Sequence, residues 1–547
     1  MSISDVKEDA RRILYGKLLN DESLRVPQAF IDAAEKLTFT GGDEKPFLPS
    51  PGKMTESASA LCALIAAASS AVATDRYGID YQGIKVNTDI ASLSLFSVIL
   101  PTVDGVPFLE NEQLRTEIAK GNLHHLERPL RALSTNLYQT KDSRWYYLHG
   151  DLNPCKTMKM LGIEDDEGIV SHEEALDMYK GKVAQWDAGV IEETANSVYQ
   201  ISGVVCHTHE EFLSSQTGKA MSKEPLYTLR AVNAPRSVWP PVSPASAADL
   251  KPLAGIRVID FSRVIAAPVI SKVLAALGAE VMKVTWKNLP DHGFLWVDLS
   301  AGKRDAGIDL KSDEGRASFS ALLKDADVLI DGYRPGVLSR LGFDTETLRK
   351  ISPRLIVVRE NCYGWKGPLS HRSGWQPISD CLVGHSWLQG KFLGLDEPVL
   401  PPLPNSDMQT GYTGAAATIQ ALYMRTKSDV TFDVDVSLTQ YNTWLYRLGQ
   451  YTEEQQRELR QRNSVFHARH SDRVQALLAK TYQAVAHTRP DIFEHPEYFW
   501  TMSGKEWGVE SNISILAPAF DLERSKLEYA VPSGSRGRSR PAWIGSP

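Results

Sequence analysis

The sequence has few cysteines and no excess of positive charge. Five cysteines are spread over 547 residues without a Cys-x-x-Cys pair, which argues against a disulfide framework or a zinc ribbon. The formal net charge is -7, so no overall positive field is available to hold a nucleic-acid backbone. We therefore expect a reducing compartment, no metal site and no nucleic-acid partner.

A long, strongly hydrophobic run is also missing. The most apolar stretch, residues 58–73, consists mostly of Ala and Ser and falls short of the roughly 20 apolar residues that a membrane span needs. This length predicts a buried helix. Residues 1–14 carry acids and lack the apolar segment of a secretory signal. We expect a cytoplasmic protein without a membrane partner.

The chain has the length and composition of a multidomain globular protein. Apolar residues make up 42% and charged residues 23%, which is ordinary for a folded chain. At roughly 100 to 200 residues per domain, the length predicts two or more domains. Proline-rich residues 238–252 and 398–404 are predicted loops, because proline lacks a backbone N–H and disrupts helices. The first of these loops predicts a domain boundary.

Strand and helix patterns alternate after that boundary. Helical patterns lie between the strand patterns, at residues 268–278, 314–324 and 346–351. The predicted strands cover residues 256–261, 280–284, 327–331 and 355–361. This alternation is typical of βαβ units on a parallel sheet. We therefore predict an α/β fold: a doubly wound, mostly parallel sheet in a Rossmann-like large domain, with a smaller α+β domain.

Two parts of the chain contain the same order of predicted elements. A proline loop, a small-residue helix and a strand occur in this order from Leu48 to about Ile84, and again from Leu403 to about Phe432. A duplication explains this order, although Ala-rich helices also resemble one another by composition alone. We predict four parts: a degenerate half-copy (1–130), the smaller α+β domain (131–240), the Rossmann-like domain (241–450) and a helical and tail segment (451–547).

Four ordered segments carry polar motifs suited to binding a phosphorylated ligand. In residues 253–284, a strand is followed by Arg263 and a small-residue turn into a helix, where backbone N–H groups can hold a phosphate or a carbonyl oxygen. An arginine that only caps a surface loop is the alternative. The other segments are residues 301–344, which are rich in cations, 361–384 and 401–425.

These segments, in this order, resemble coenzyme A transferase family III, the group of formyl-CoA transferase, carnitine-CoA transferase and α-methylacyl-CoA racemase. Long chains of this kind are similar to fungal acetyl-CoA transferase-like proteins. The resemblance implies an acyl-CoA substrate at the carboxyl ends of parallel strands, where cations and loop amides hold its phosphates. The residues that it assigns to the coenzyme are Arg263, Ala266, Lys303, Arg304, Arg334, Arg340, Tyr363 and Gly364.

The sequence departs from the family at the catalytic acid. The resemblance places a nucleophilic aspartate at position 376, and this chain has Gln376. An amide cannot act as an anionic nucleophile. Three interpretations follow: Asp380, on the same face if the segment is helical, supplies the carboxylate; Gln376 binds a ligand in a protein without transfer chemistry; or another chain or the other half-copy supplies it.

Two further positions bear on the chemistry. Asp407 matches an acid that the racemases of this family pair with a histidine, and it is also placed to cap a helix. Trp375 occupies the position of that histidine, which weighs against a two-base racemase. The family's Asn before Phe-Arg-Pro-Gly is Gly332 here, and its Phe is Tyr333. The hydrogen bond that the resemblance implies between this amide and the thioester arm is therefore missing here.

The resemblance implies transfer of coenzyme A between carboxylic acids, in a fungal secondary-metabolite pathway. A non-catalytic acyl-CoA-binding or scaffolding homologue is the first alternative, since Gln376 replaces the family's acid. A racemase-like enzyme is the second. Family III transferases form interlaced dimers, so a chain with two half-copies can be a monomer or a homodimer.

Overall fold

The computed structural model describes residues 5–164, 170–242 and 249–545. The predicted linker at 238–252 therefore lies partly outside the described residues. The strands are β1 (Leu37–Thr40), β2 (Ile84–Asn87), β3 (Thr102–Val103), β4 (Val106–Pro107), β5 (Asn136–Gln139), β6 (Trp145–Leu148), β7 (Gly203–Val205), β8 (Thr228–Asn233), β9 (Arg257–Phe261), β10 (Glu280–Thr285), β11 (Lys303–Gly307), β12 (Val328–Asp331), β13 (Ile356–Asn361), β14 (Val430–Ser437), β15 (Phe499–Ser503), β16 (Asn512–Leu516) and β17 (Phe520–Leu522).

The helices connect and cover these strands. They are α1 (Val6–Ile13), α2 (Gln28–Ala34), α3 (Met54–Tyr77), α4 (Thr88–Ser94), α5 (Glu112–Ala119), α6 (Pro129–Ala132), α7 (Cys155–Leu161), α8 (His172–Val183), α9 (Ala188–Glu193), α10 (His209–Ser214), α11 (Gln216–Met221), α12 (Ala266–Ala276), α13 (Trp296–Leu299), α14 (Asp313–Lys324), α15 (Val337–Arg340), α16 (Thr345–Ile351), α17 (Gln376–Val383), α18 (His385–Phe392), α19 (Asn405–Arg425), α20 (Leu438–Arg447), α21 (Glu453–Arg462) and α22 (Val474–Thr488).

The central sheet has the strand order β11-β10-β9-β12-β13-β14-β8. Its pairs are parallel except for β14 with β8, which is antiparallel. Successive residues of β9 face opposite sides: Val258 packs in the core that includes α12 and α19, and Ile259 packs in the core that includes α14. Because both faces are buried, β9, β12 and β13 contain runs of consecutive apolar residues. The prediction of a doubly wound, mostly parallel α/β domain is confirmed.

The order of elements that the two parts of the chain share in the sequence is also present in the structure. The parallel pair β1 and β2 is connected through α3 and followed by α4. The parallel pair β13 and β14 is connected through α17, α18 and α19, of which α19 directly precedes β14, and is followed by α20. Helices α3 and α19 pack against each other in the core. β17 completes the N-terminal three-stranded sheet. The two parts thus share the order helix, strand, helix, and the duplication stays a prediction.

Two smaller sheets flank this core. β5, β6 and β7 form an antiparallel sheet with its own hydrophobic core, as expected for a smaller α+β domain. β15, β16, β3 and β4 form the second. The loop between β6 and α7 reaches back to the start of α17, and this contact positions the site described below.

The predicted elements of the Rossmann-like domain are confirmed within one or two residues at most ends. α14 begins where Ser312 accepts a hydrogen bond from the backbone N–H of Gly315, and α16 begins at the cap Asp344. β11 was not predicted, because its sequence KRDAG has no strand pattern. The helix α3 is long and apolar enough to cross a membrane, but 94% of its most apolar window is buried inside the protein. The predicted buried helix is thus confirmed.

Candidate active site

Two adjoining cavities lie at the carboxyl ends of the central strands, where open α/β sheets bind ligands. The strand-end cavity has a volume of about 70 Å³ and is lined by Arg263 after β9, Gly332 after β12 and Glu360 near the end of β13. The apolar cavity beside it has a volume of about 130 Å³, and its apolar wall includes Leu126, Leu152, Phe294, Pro377, Val474 and Leu478. Both cavities are bordered by Val264, Ile265, Trp375 and Asp407.

Gln376 and Asp380 form a buried pair on the first turns of α17. The amide nitrogen Nε2 of Gln376 donates a hydrogen bond to Oδ2 of Asp380, so the predicted shared helix face is confirmed. Oδ1 of Asp380 accepts hydrogen bonds from Nδ2 of Asn442 at 2.8 Å and from Oγ of Ser406 at 3.3 Å. Burial outweighs these bonds and raises the pKa of Asp380 to about 7. Gln376 lines the apolar cavity, whereas Asp380 lines neither cavity.

Asp407 lies in the first turn of α19 and borders both cavities. Within the part of the chain that the structure describes, no donor forms a hydrogen bond with its carboxylate. Burial raises the pKa of Asp407 well above its usual value, and the carboxyl groups of Glu360 and Asp380 raise it further. The cap position of α19 is Pro404, and no side chain makes the capping bond. The interpretation of Asp407 as a helix cap is therefore wrong.

Two further carboxyl groups lie near this part of the site, Glu360 close to Asp407 and Asp331 close to Glu360. Burial raises the pKa of Glu360 to about 8, and the neighbouring carboxyl of Asp331 adds to this effect. Burial likewise raises the pKa of Asp331 to about 7. Among the described residues, Glu360 forms no ion pair. Because like charges oppose one another, ionising one of these carboxyls makes the next harder to ionise.

Three arginines line the strand-end cavity. Arg334 donates to Oδ2 of Asp151 at 2.9 Å, and Arg372 donates to Oε1 of Glu192 at 2.8 Å. Arg263 donates to a backbone carbonyl at 2.9 Å and forms no ion pair among the described residues. The side chain of Arg263 thus retains N–H groups for a ligand, because its fork has five donors.

The chain comes unusually close to itself at Gly332. A Cβ atom at this position would lie 2.5 Å from the Cβ of Ala267 and 2.8 Å from that of Ser262. Real side chains do not approach so closely, so the asparagine of related proteins does not fit here without a shift of the backbone. The close packing between the end of β12 and α12 thus explains why position 332 has no side chain.

A loop of the smaller domain contributes an aromatic and acidic group to the apolar cavity. The ring of His149 stacks on Trp375 with 5.3 Å between centroids and 3° between planes. Nε1 of Trp375 donates to Oδ1 of Asp151 at 2.5 Å, and the backbone N–H of Asp151 donates to Nδ1 of His149 at 2.9 Å. A neutral imidazole held in this way carries its proton on Nε2. All three side chains line the apolar cavity.

The structure brings together six of the residues proposed from the sequence. Arg263, Arg334 and Ala266, the first residue of α12, line the strand-end cavity. Gln376 lines the apolar cavity, and Asp407 lines both. Asp380 lies directly behind Gln376.

The other five line neither cavity. The ammonium of Lys303 is fully buried and binds Oδ2 of Asp260 at 2.9 Å, so it is already neutralised inside the protein. Arg304 donates to a backbone carbonyl of the C-terminal segment at 2.6 Å. Tyr363 is buried in a hydrophobic core. The remaining two are Arg340 and Gly364.

Sequence reasoning missed several charged or titratable groups that line these cavities, among them Glu360, His149, Asp151, Arg372 and Arg473. Glu360 was visible as an acid at the end of an apolar strand pattern. His149 and Asp151 follow a strand pattern of the smaller domain, which gave no reason to connect them with Trp375. No group of three or more metal-binding side chains is found in the described ranges.

The sequence and fold have relatives among known proteins. The profile of CoA-transferase family III matches residues 253–494. The chain is 33% identical to an acetyl-coenzyme A transferase, nodX, of Hypoxylon pulicicidum over 98% of this chain and 93% of the relative. This protein belongs to CoA-transferase family III. An acyl-CoA transferase of Gibberella moniliformis is 30% identical over 73% of this family III chain and 72% of its own.

More distant relatives match only part of the family III chain. Succinyl-CoA:glutarate CoA-transferase of Mus musculus is 29% identical over 37% of this chain and 49% of the relative. The crystal structure of Rv3272 from Mycobacterium tuberculosis aligns with 29% identity and a TM-score of 0.32, over 36% of this chain and 56% of that one.

Proposed function

We propose that this protein transfers coenzyme A from an acyl-CoA to a second carboxylic acid, with Asp407 as the carboxylate that becomes acylated. The position of Asp407 on both cavities carries this proposal. A coenzyme thioester arm in the strand-end cavity and an acid in the apolar cavity would both meet its carboxylate. The names of the related CoA-transferases support the same reaction class.

The reaction needs one protein carboxylate that is acylated and regenerated. Asp407 attacks the thioester carbonyl, the C–S bond breaks, and coenzyme A leaves as a thiolate from a mixed anhydride. The thiolate then attacks the aspartyl carbonyl, which releases the donor acid and leaves coenzyme A as a thioester on Asp407. The acceptor carboxylate attacks this thioester, and the thiolate finally attacks the acceptor carbonyl, which frees Asp407.

Gln376 and Asp380 are better suited to support this step than to carry it. The amide of Gln376 is not a nucleophile, and Asp380 borders neither cavity and accepts three hydrogen bonds that acylation would disrupt. Asp380 orients the Gln376 amide, whose second N–H can donate to an oxygen that gains charge in the apolar cavity. Gln376 is thus a candidate contact for the reacting carbonyl.

The thioester arm of the coenzyme is assigned to the strand-end cavity, whose volume of about 70 Å³ holds only part of the coenzyme. Arg263, Arg334 and the first backbone N–H groups of α12 supply donors for phosphate or carbonyl oxygens there. Asp151 holds Arg334 in place in the absence of ligand. Bound phosphate would therefore share this arginine with Asp151.

The geometry favours transfer over racemisation. A two-base racemase needs a second base opposite Asp407, and the indole of Trp375 occupies the position that the family resemblance gives to histidine. His149 stacks on that indole, but its Nδ1 already accepts the backbone N–H of Asp151. The indole of Trp375 is not a base, and Nδ1 of His149 is already occupied by a hydrogen bond.

Cytoplasmic location and a role in a fungal secondary-metabolite pathway are further parts of this proposal. Five free thiols, four of them buried, fit a reducing compartment. A fluorescent fusion in a fungal host tests the location, and the metabolites that disappear after gene deletion test the pathway. Light scattering separates a monomer of 60.6 kDa from a homodimer.

Exchange of coenzyme A between acetyl-CoA and a panel of carboxylic acids tests the proposed reaction, with new thioesters identified by mass spectrometry. Asp407→Asn keeps the size of the side chain and should lower exchange by several orders of magnitude. Asp380→Asn is the matched control and should lower it much less. Exchange that survives Asp407→Asn contradicts the assignment, and acetyl-CoA binding without exchange to any acid indicates a binding protein.

A further inference from the structure

The strand-end cavity contains a carboxyl group that the proposed reaction does not use. Glu360 lies near the end of β13, lines this cavity and is only 9% exposed. Among the described residues, its side chain forms neither an ion pair nor a hydrogen bond. A buried carboxyl without a partner is costly unless it is protonated or meets a ligand. The carboxyl of Glu360 is therefore available to a group that enters the cavity.

The acidic groups near Glu360 come from three parts of the fold. Burial raises the pKa of Glu360 to about 8, and the carboxyl of Asp331 at the end of β12 adds to this effect. Burial also raises the pKa values of Asp407 on α19 and of the Cys362 thiol, and Glu360 raises both further. Because these like charges oppose one another, ionisation of Asp407 favours a protonated Glu360.

The cations around this cavity are directed to other partners. Arg334 and Arg372 each form an ion pair with a carboxylate of the smaller domain, and Arg263 donates to a backbone carbonyl. Arg359, the neighbour of Glu360 in β13, forms an ion pair with a carboxylate of β14. Within the described ranges, no cation therefore holds Glu360 in its ionised form.

The sulfur of the coenzyme passes through the same place. It is bonded to the carbonyl carbon that Asp407 attacks, so it departs among the groups that surround Asp407. A thiolate released in a buried cavity beside carboxylates is unfavourable, because it lacks solvation and meets charges of its own sign. A thiol such as that of cysteine has a pKa of about 8.5, close to the pKa of about 8 of Glu360. A proton can therefore pass between the two at little cost in either direction.

We propose that Glu360 is a catalytic acid and base that gives its proton to the coenzyme A sulfur whenever the C–S bond breaks and takes it back whenever the sulfur attacks. The first transfer converts the thiolate into a thiol and leaves Glu360 as a carboxylate. The second restores the thiolate and the protonated carboxyl, so no proton is gained or lost over the cycle. This inference rests on the proposed transfer reaction with Asp407 as the acylated carboxylate.

The pH dependence of kcat separates this role from a structural one. Exchange is measured between acetyl-CoA and the carboxylic acid that the wild type uses best. The rate should rise as Asp407 ionises and fall as the pH increases through the pKa of Glu360, because the proton donor is then lost. Glu360→Gln should lower the maximal rate by about 100-fold or more, the usual contribution of a positioned acid, and should remove the falling limb. Glu360→Asp keeps an acid and should retain the falling limb with part of the activity.

Binding and stability measurements guard against a folding artefact. Glu360→Gln should match the wild type in thermal midpoint and in acetyl-CoA affinity by calorimetry, because the amide fills the same space and adds no charge. The loss should thus appear in kcat and not in KM. Glu314→Gln removes an exposed carboxyl of α14 that lines neither cavity and should behave as the wild type does in every measurement.

Three results would overturn the inference: exchange by Glu360→Gln at the wild-type rate, a falling limb that persists in Glu360→Gln, or a falling limb that is absent from Glu360→Asp. A loss of activity matched by equal losses of acetyl-CoA affinity and thermal midpoint would assign Glu360 a structural role instead. Failure of the proposed function looks different. In that case the wild type itself exchanges no coenzyme A with any acid, and the inference fails with it.

Discussion

The side-chain amide of Gln376 donates a hydrogen bond to Oδ2 of Asp380, one turn further along α17. The position to which the family resemblance assigns a nucleophilic acid thus holds an amide, and the nearest carboxylate on the same helix lies behind it. Asp407 reaches the same space from α19 and borders both cavities. In the proposed reaction, the transfer step therefore depends on the ionisation of Asp407.

Glu360→Gln should shift the pH profile of exchange toward lower pH. Asp407 must be ionised to attack, and its pKa is raised, so activity should rise as the pH increases through that pKa. The carboxyl of Glu360 contributes to the raised pKa of Asp407, and its removal lowers that pKa. The measurement is kcat/KM against pH for both proteins. Superimposable rising limbs would show that Glu360 does not act on the reacting group.

Arg334→Gln should weaken acetyl-CoA binding by about 10-fold to 100-fold, since a charge-assisted hydrogen bond contributes about 1.5 to 3 kcal/mol. Arg340→Gln is the matched control, because Arg340 follows closely in the chain but lines neither cavity. Calorimetry on both variants gives the two dissociation constants. If both variants weaken acetyl-CoA binding equally, or if neither weakens it, Arg334 does not contact the coenzyme.

Lys303→Met should destabilise the fold without a direct effect on coenzyme binding. The ammonium of Lys303 and the carboxylate of Asp260 are both fully buried and 2.9 Å apart, and breaking a buried ion pair costs about 3 to 5 kcal/mol. Denaturant unfolding measures the loss, and acetyl-CoA affinity is measured on the folded fraction. A large loss of acetyl-CoA affinity with little loss of stability would contradict this prediction and show that Lys303 contributes to the coenzyme site.

Much of the Rossmann-like domain could be predicted because its signals are local. β9, β12 and β13 are short apolar runs, and α14 and α16 begin at polar caps, so their bounds follow from neighbouring residues. The shared face of Gln376 and Asp380 likewise follows from helix periodicity alone.

The completed site could not be predicted in the same way. His149 and Asp151 meet Trp375 across more than 200 positions of sequence, and no local pattern specifies such a contact. Lys303 was assigned to the coenzyme from its motif, yet Asp260 neutralises it in the interior. Whether a charge faces a ligand or the core depends on tertiary packing, which residue type and spacing do not determine.

Trapping of the acyl-enzyme identifies the reacting carboxylate. Incubation with acetyl-CoA and then hydroxylamine converts an aspartyl thioester or anhydride into a hydroxamate. Trypsin separates the two candidates, since residues 373–391 contain Asp380 and residues 392–425 contain Asp407. We predict a hydroxamate on Asp407 that is absent from Asp407→Asn; a hydroxamate on Asp380, or none on any residue of an active protein, would contradict this assignment.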